Sequence, residues 1–376
     1  MIRIKNQITC VFSIGDINDF ISPENLISFE LYETAGNLRP LFKMEFILNH
    51  KKVLNYLNAG NILRINFGIN EPSSEVIQFE LQGDNTNVNY SLGSNVKITA
   101  ALYVPGFTNL VKDKSYGKKY SYEVLKEIAN NAKFNFVSNV NKTNDNQIWY
   151  QNGETDWKYI QEVWYHSYIN DDTFLAFAFD ANNLYFYDVR SLLLNEPKWK
   201  FSTEFIGEST SNIINFGQYF TENNYGNLND LVGRNISNTT FNITTGEFSS
   251  YDYKLKNFTT LDSNKLNLNI NECQDYTYNI ISGDVHENYI KAQNQNIRNN
   301  IMYSTYAIYI PTAGQFKKLR LLDTVTVETN PRDERVSGVS FITAICYQYK
   351  DKKLLTNVTL NKEAPSGLRG QELVDG

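Results

Sequence analysis

The stretch QNGETDWKYIQEVWYHS, Gln151 to Ser167, decides how this chain is read, because it sets two tryptophans close together in a sequence otherwise rich in strand patterns and asparagine. Asn152-Gly153 reads as a turn, and Thr155 and Asp156 are residue types that cap a helix. Beyond them Trp157, Ile160, Trp164 and Tyr168 recur at i, i+3, i+7 and i+11, one stripe on one helix face. Rings of that size at helical spacing point to burial against a neighbouring sheet, since each hides a large apolar area.

Working outward, SYEVLKEIANNAKF (Ser121 to Phe134) is a second helix pattern, with Val124, Leu125, Ile128, Ala129 and Ala132 on one face and Ser121 in the N-cap place. On the other side DDTFLAFAF and LYFYDV, joined at Asp180 to Asn183, read as a hairpin. Helix, helix and hairpin make a small α+β unit. Before it, at PGFTNLVKDKSYGKKY (Pro105 to Tyr120), the strand rhythm stops and lysine collects.

The N-terminal hundred residues are strand after strand. ITCVFSI, LISFELYE, LFKMEFIL, NILRINFGI, EVIQFELQG and NVKITAALYV alternate apolar and polar residues with period two, and KKVLNYLN fits one short helix between them. Strands return near the C-terminus in STYAIYIPTA, DTVTVET, GVSFITAICYQYK and KLLTNVTLN. Between the two strand-rich ends, NIINFGQYF and TFNITTG read as strands within a mixed region from Phe201 to Ser250. A helix is expected within Gly283 to Thr305. The fold class is α+β, mostly β: two antiparallel barrel-like lobes with an inserted α+β region.

Composition and motifs exclude more than they assign. The chain has 376 residues, 41% hydrophobic, 14% aromatic and 20% charged, with a formal net charge of −6 and a pI near 5.3. That balance is globular and argues against a surface made to grip nucleic acid phosphates. Cys10, Cys273 and Cys346 form no disulfide framework or Cys-x-x-Cys pair and read as buried thiols, and His50, His166 and His286 lie in no metal-binding spacing. No P-loop, nucleophile elbow or dinucleotide fingerprint appears. Carboxylate pairs exist at Asp171-Asp172, Asp333-Glu334 and Glu154/Asp156, but adjacency in sequence does not set them across a sugar ring as glycosidase chemistry needs. Triplets for N-glycosylation, at Asn141, Asn235, Asn238, Asn242, Asn257 and Asn357, are read as products of the asparagine-rich composition. The opening MIRIKNQITCVFSIG lacks an apolar leader or anchor, so the expectation is a soluble chain made in the cytoplasm, with no stable membrane insertion. No catalytic, cofactor or metal residues are assigned.

The order of these segments resembles the central hub of contractile phage tails (the late control D family) and the related type VI secretion VgrG proteins. In that family a helix beginning "sy-vl-eia" is followed by "q-g-sdw-fi" opening a second helix, then a hairpin. Ser121, Val124, Leu125 and Ile128 match the first motif, and Gln151, Gly153, Thr155, Asp156, Trp157 and Ile160 the second. YIPTAGQFKKLRLLDTVTVET and the strands after it are similar to the family's second barrel, departing from it at Leu321-Leu322-Asp323, where Pro-Gly is more usual. The resemblance implies Val124, Leu125, Ile128, Trp157, Ile160 and Trp164 as packing residues of the unit. It also implies a homotrimer whose barrels make a pseudo-sixfold ring joining tail tube to spike. Partners would be the tube, spike and baseplate wedge proteins, with DNA passing through the lumen unbound, in a virion assembled in the host cytoplasm.

On this reading residues 1–105 form the first lobe and 106–200 the insertion. Residues 201–245 are a mixed part of the second lobe, 246–305 continue the α+β region, 306–363 complete the second lobe, and 364–376 connect toward the spike. The alternatives are a tail-tip hub of a non-contractile phage, a carbohydrate-active β-enzyme and a secreted β-rich binding protein.

Overall fold

A computed structural model describes residues 2–4, 8–36, 39–69, 71–72, 75–83, 91–204, 212–223, 235–242, 246–254, 276–282, 286–299, 303–309, 316–333 and 335–362. The N-terminal strands are β1 (Ile2–Ile4), β2 (Ile8–Ile14), β3 (Leu26–Thr34), β4 (Leu41–Ile47), β5 (Ile62–Ile69), β6 (Glu71–Pro72), β7 (Ile77–Gln82) and β8 (Asn95–Leu102), with a 3-10 helix at Lys51–Tyr56. All six strand patterns read from this part of the sequence are strands. Alternation explains them: along β7 every second side chain is buried. Phe12, Phe29, Phe42 and Phe79 form a chain of rings across the buried face, with centroids 5.5 to 5.9 Å apart along it. Burying each ring contributes roughly 2–3 kcal/mol.

The C-terminal strands β20 (Tyr303–Tyr309), β21 (Thr324–Glu328), β22 (Gly338–Lys350) and β23 (Lys353–Lys362) do not stand apart from the N-terminal ones. They belong to the same 15-stranded sheet, whose main path runs β1-β2-β5-β7-β8-β4-β3-β22-β21 and on through β14 (Trp199–Ser202) to β15 (Ile213–Asn215). β23, β20 and β16 (Gln218–Asn223) branch from β22. The sheet is curled into a half-barrel.

The joint is β22. Its first residues, Gly338 to Phe341, pair with β21, whereas Ala344 to Lys350 pair with β3. Between the two lies a bulge against β23, where Ile342 faces Leu360 and Ala344 faces Thr359. The extra residue is Thr343, whose carbonyl accepts from the Ala35 N–H at 2.8 Å. A bulge bends and twists a strand, which lets one strand serve two neighbours on the same side. Aromatic rings cross the joint: Tyr349 stacks on Phe29 with centroids 5.4 Å apart, and Phe316 touches both Phe67 and Tyr347.

Beside the sheet sits the α+β unit. It contains β9 (Val111–Lys119), α1 (Ser121–Asn131), β10 (Asn135–Ser138), β11 (Gln147–Thr155), α2 (Asp156–Tyr165), β12 (Leu175–Phe179), β13 (Asn183–Asp188) and α3 (Val189–Leu193). β12 and β13 form the expected hairpin, and β10 adds to β13 in parallel. Further along, β17 (Asn235–Asn242) pairs with β18 (Glu247–Lys254) and β19 (Tyr276–Ser282), followed by α4 (Tyr289–Asn299). Among the described residues no helix is long and apolar enough to cross a membrane.

Four local expectations need correction. Pro105 to Tyr120 contains a nine-residue strand, β9, paired with β11 as a two-stranded ribbon. It escaped the pattern because only Tyr116 along it is buried, so lysines fill the other places. Asn152-Gly153 is a bulge within β11 and not a turn: Gly153 has φ +64° and its N–H donates to the Asp113 carboxylate at 2.8 Å. Ser121 is the first residue of α1, not its cap; Tyr120 holds that place, its N–H donating to Glu123 at 3.0 Å. Finally α2 ends at Tyr165, so Tyr168 is buried from the turn beyond the helix and does not extend the stripe.

Candidate functional site

Each helix of the α+β unit presents its apolar stripe to the interior. Val124, Leu125, Ile128 and Ile160 are at most 1% exposed and Trp157 is 9% exposed, while Trp164 is partly buried against the same core. The Trp157 ring lies 4.9 Å from Phe179, and Trp164 lies 5.0 Å from Phe177. Trp164 also donates its indole N–H to the Leu175 carbonyl at 2.8 Å. Both tryptophans therefore pack on β12, the second with a polar anchor. α2 starts at Thr155, whose hydroxyl accepts from the Lys158 N–H at 3.4 Å.

Two buried carboxylates hold the unit together. Asp145 is fully buried and accepts four bonds: from the Ser121 N–H (2.9 Å), the Ser121 hydroxyl (2.5 Å), the Thr143 hydroxyl (2.7 Å) and the Tyr168 N–H (2.8 Å). Asp156, 2% exposed, pairs with Lys112 of β9 and accepts from Gln151 at 3.1 Å. Gln151 in turn accepts from Tyr116, whose ring stacks on Tyr159. Burial pushes both tyrosine hydroxyls well above their ordinary pKa, so they stay protonated donors. The lysines of β9 are bound inward as well: Lys114 and Lys119 both reach Glu127 of α1, at 2.8 and 2.6 Å, and hold its carboxyl below the usual range.

The C-terminal helix caps this unit with amides. Asn288 donates to the Asn144 carbonyl (3.0 Å), Asn296 to the Tyr165 carbonyl (2.6 Å), and Gln295 to those of Asn170 and Thr173. His286 Nε2 donates to the His166 carbonyl at 2.9 Å, and the His166 ring stacks on Tyr289 with centroids 3.9 Å apart. Burial lowers the pKa of both histidines, His166 to about 4.

One carboxylate of each pair suggested for hydrolysis has a structural partner. Asp156 is locked to Lys112, Asp171 accepts from Tyr168, and Asp333 is gripped by Arg335, which lowers its pKa. Glu334 lies outside the described residues. Among the described residues no group of three His, Cys, Asp or Glu could hold a metal ion. Cys10 is buried, Cys346 is half-buried with its thiol pushed up to about 11, and Cys273 lies outside the described residues.

Among the described residues, an exposed apolar patch and an apolar groove stand out. On the outer face of the β9–β11 ribbon, Val111, Ile148 and Tyr150 are 50 to 60% exposed. On the sheet, a groove of about 460 Å³ is lined by Tyr32, Leu41, Phe220, Tyr306, Ile308 and Cys346, with Phe220 stacked on Tyr306 at 4.4 Å. Neither was legible in sequence, because both combine residues from distant strands.

No family model matches the sequence, and no curated protein matches it. Solved structures do. A prophage MuSo2 tail protein from Shewanella oneidensis matches with a TM-score of 0.51 at 11% identity, over 96% of this chain and 99% of that one. A tail protein from Neisseria meningitidis matches with a TM-score of 0.56 at 8% identity, over 96% and 99%. An Escherichia coli component of the type VI secretion system, itself described as structurally similar to the T4 phage tail proteins gp27 and gp5, matches with a TM-score of 0.52 at 10% identity, over 96% and 78%. Over 96% of its length the chain is similar in fold to these phage tail and secretion-system proteins.

Proposed function

We propose that the chain is a structural, non-enzymatic hub of a phage tail baseplate or tail-like injection machine, placed at the junction of tail tube and central spike. The observation that carries this reading is the fold match over nearly the whole length of tail proteins of the same size. The continuous curled sheet supports it: strand-rich segments from both ends of the chain are hydrogen-bonded through β3 and β22, which suits a rigid wall.

In this reading residues 1–105 and 306–363, with part of 201–245, supply two tube-like lobes. Three chains then make a pseudo-sixfold ring, isomorphous in symmetry with a sixfold tube and open to a threefold spike. The α+β unit lies outside the ring, toward the wedge proteins; 364–376, expected to connect toward the spike, lie outside the described residues. A net charge of −6 lets DNA pass along the lumen without being held. Val124, Leu125, Ile128, Trp157, Ile160 and Trp164 keep the outer unit rigid.

The test is solution mass by light scattering at high concentration, followed by electron-microscope class averages. A three-chain ring with six inner lobes is expected. A chain that stays monomeric and forms no ring even when mixed with its tube and spike neighbours overturns the reading.

A further inference from the structure

The docking of α4 on the end of α2 has an unusual chemistry. Among the described side chains of α4 and the residues leading into it, the contacts are chiefly amides on backbone carbonyls, with Ala292 fully buried. At the centre lie two imidazoles, His166 from α2 and His286 from the approach to α4, 7% and 6% exposed.

The hydrogen bonds fix both rings as neutral. His166 Nδ1 faces the Glu162 carbonyl at 2.9 Å, an acceptor, so it carries the proton; Nε2 is then the acceptor for the Gln293 amide at 3.2 Å. His286 Nε2 faces the His166 carbonyl and carries the proton, which leaves Nδ1 as a bare acceptor, buried with no hydrogen-bond partner among the described residues. A second proton on His166 requires the Gln293 carboxamide to turn its oxygen toward Nε2. A second proton on His286 creates a buried N–H with nothing to receive it, a cost paid in full in a dry site.

The surrounding charges do not offset this. From α2 the groups facing the pair are Glu162, Tyr165 and the Tyr168 beyond it; from the segment before β11, Asp145; from β11, Gln147 and Trp149, with Glu154 near Glu162; from the α4 side, Glu287, Tyr289 and Lys291. Strand β18 also lies beside α4. Asp145 acts on His286 at a distance but already accepts four bonds, and Glu162 is exposed, where solvent screens its charge.

We propose that His166 and His286 form an acid-sensitive latch: the segment 286–299 stays docked on α2 while both imidazoles are neutral and lifts away when they take up protons. The surface released is the C-terminal end of α2 and the turn to Thr173, with its carbonyls freed for other donors. Burial lowers the affinity of both rings for protons, in line with this geometry. For His166 alone, a drop from 6.5 when open to about 4 when docked raises the open population roughly twentyfold between pH 7 and pH 5.

Hydrogen exchange read by mass spectrometry on the full chain tests this, with rates corrected for the intrinsic pH dependence and α1 as the internal reference. Protection of 286–299 should fall at least tenfold from pH 7 to pH 5 while that of 121–131 holds. Fluorescence of Trp149, whose ring is 6.5 Å from His286, should change over the same range. H166F keeps a ring to stack on Tyr289 and H286Q keeps a donor for the His166 carbonyl; each should shrink the fall and the double variant should abolish it. An unchanged protection of 286–299 in the wild type, or the same fall in the double variant, overturns the proposal. If the double variant does not fold, the two single variants carry the same comparison.

Discussion

Asp145 shows how much one residue decides. It is an unpaired carboxylate in a dry place, tolerable because four donors converge on it. Asp145→Ala strands those donors and should lower stability by about 3 kcal/mol, read from urea unfolding. Trp164 and Trp157 separate two contributions. Trp164→Phe keeps most of the ring but loses the bond to Leu175, for an expected cost of about 1 kcal/mol. Trp157→Ala removes the ring and opens a cavity against Phe179, for about 3–5 kcal/mol. Equal losses from the two variants would contradict this division. The stripe was plain in the sequence, because residue types at helical spacing are enough to define a face. Asp145 was not, since its donors come from Ser121, Thr143 and Tyr168, and only the fold brings them together.

At the scale of elements, ion pairs divide by burial. Asp156 is 2% exposed and its partner Lys112 24%, whereas Glu127 and its lysines are about a third exposed. Glu127→Gln should therefore change stability by less than about 1 kcal/mol, while Asp156→Ala, which leaves Lys112 facing an emptied pocket, should cost about 3 kcal/mol. Both values are read from the same denaturation series, and high salt should shrink only the first. The docked α4 adds a pH dependence. His166 binds protons less readily folded than unfolded, so its contribution is complete above about pH 6.5 and is lost progressively toward pH 4, below which both states are protonated. The loss amounts to about 3 kcal/mol at most for this group. Urea midpoints that hold level from pH 7 to pH 4.5 would refute it. The ribbon β9–β11 explains why sequence reading faltered here: a strand with one buried side chain has no apolar alternation to detect.

For the whole molecule the decisive feature is the bulge at Thr343. Residues before it serve β21 and residues after it serve β3, and because Ile342 already faces Leu360 and Ala344 already faces Thr359, deleting Thr343 makes the ladder with β23 regular and removes the bend that serves both neighbours. Ile345, Tyr347 and Tyr349 keep their inward places opposite Val358, Thr356 and Leu354, but the Ala35 N–H loses the Thr343 carbonyl that receives it. The deletion, which straightens β22 at the joint, should lower the thermal midpoint and the soluble yield, whereas Thr343→Ala, which keeps the bulge and the carbonyl that receives Ala35, should lower them much less. Soluble expression and differential scanning fluorimetry distinguish the two.

The sequence alone determined the local elements whose cause is local. Alternation gave the N-terminal strands, helical spacing gave α1 and α2, and Asp180 to Asn183 closed the hairpin between β12 and β13. It also set the packing faces of Trp157 and Trp164. Tertiary structure alone decided that the strands from the two ends of the chain share one curled sheet, since the pairing of Ser28 to Thr34 with Ala344 to Lys350 spans more than three hundred residues and leaves no periodic trace. It alone decided the histidine latch too, because no spacing in the sequence relates His166 to His286; their meeting depends on where α4 comes to rest, and the hydrogen bonds that make them neutral exist only once it is there.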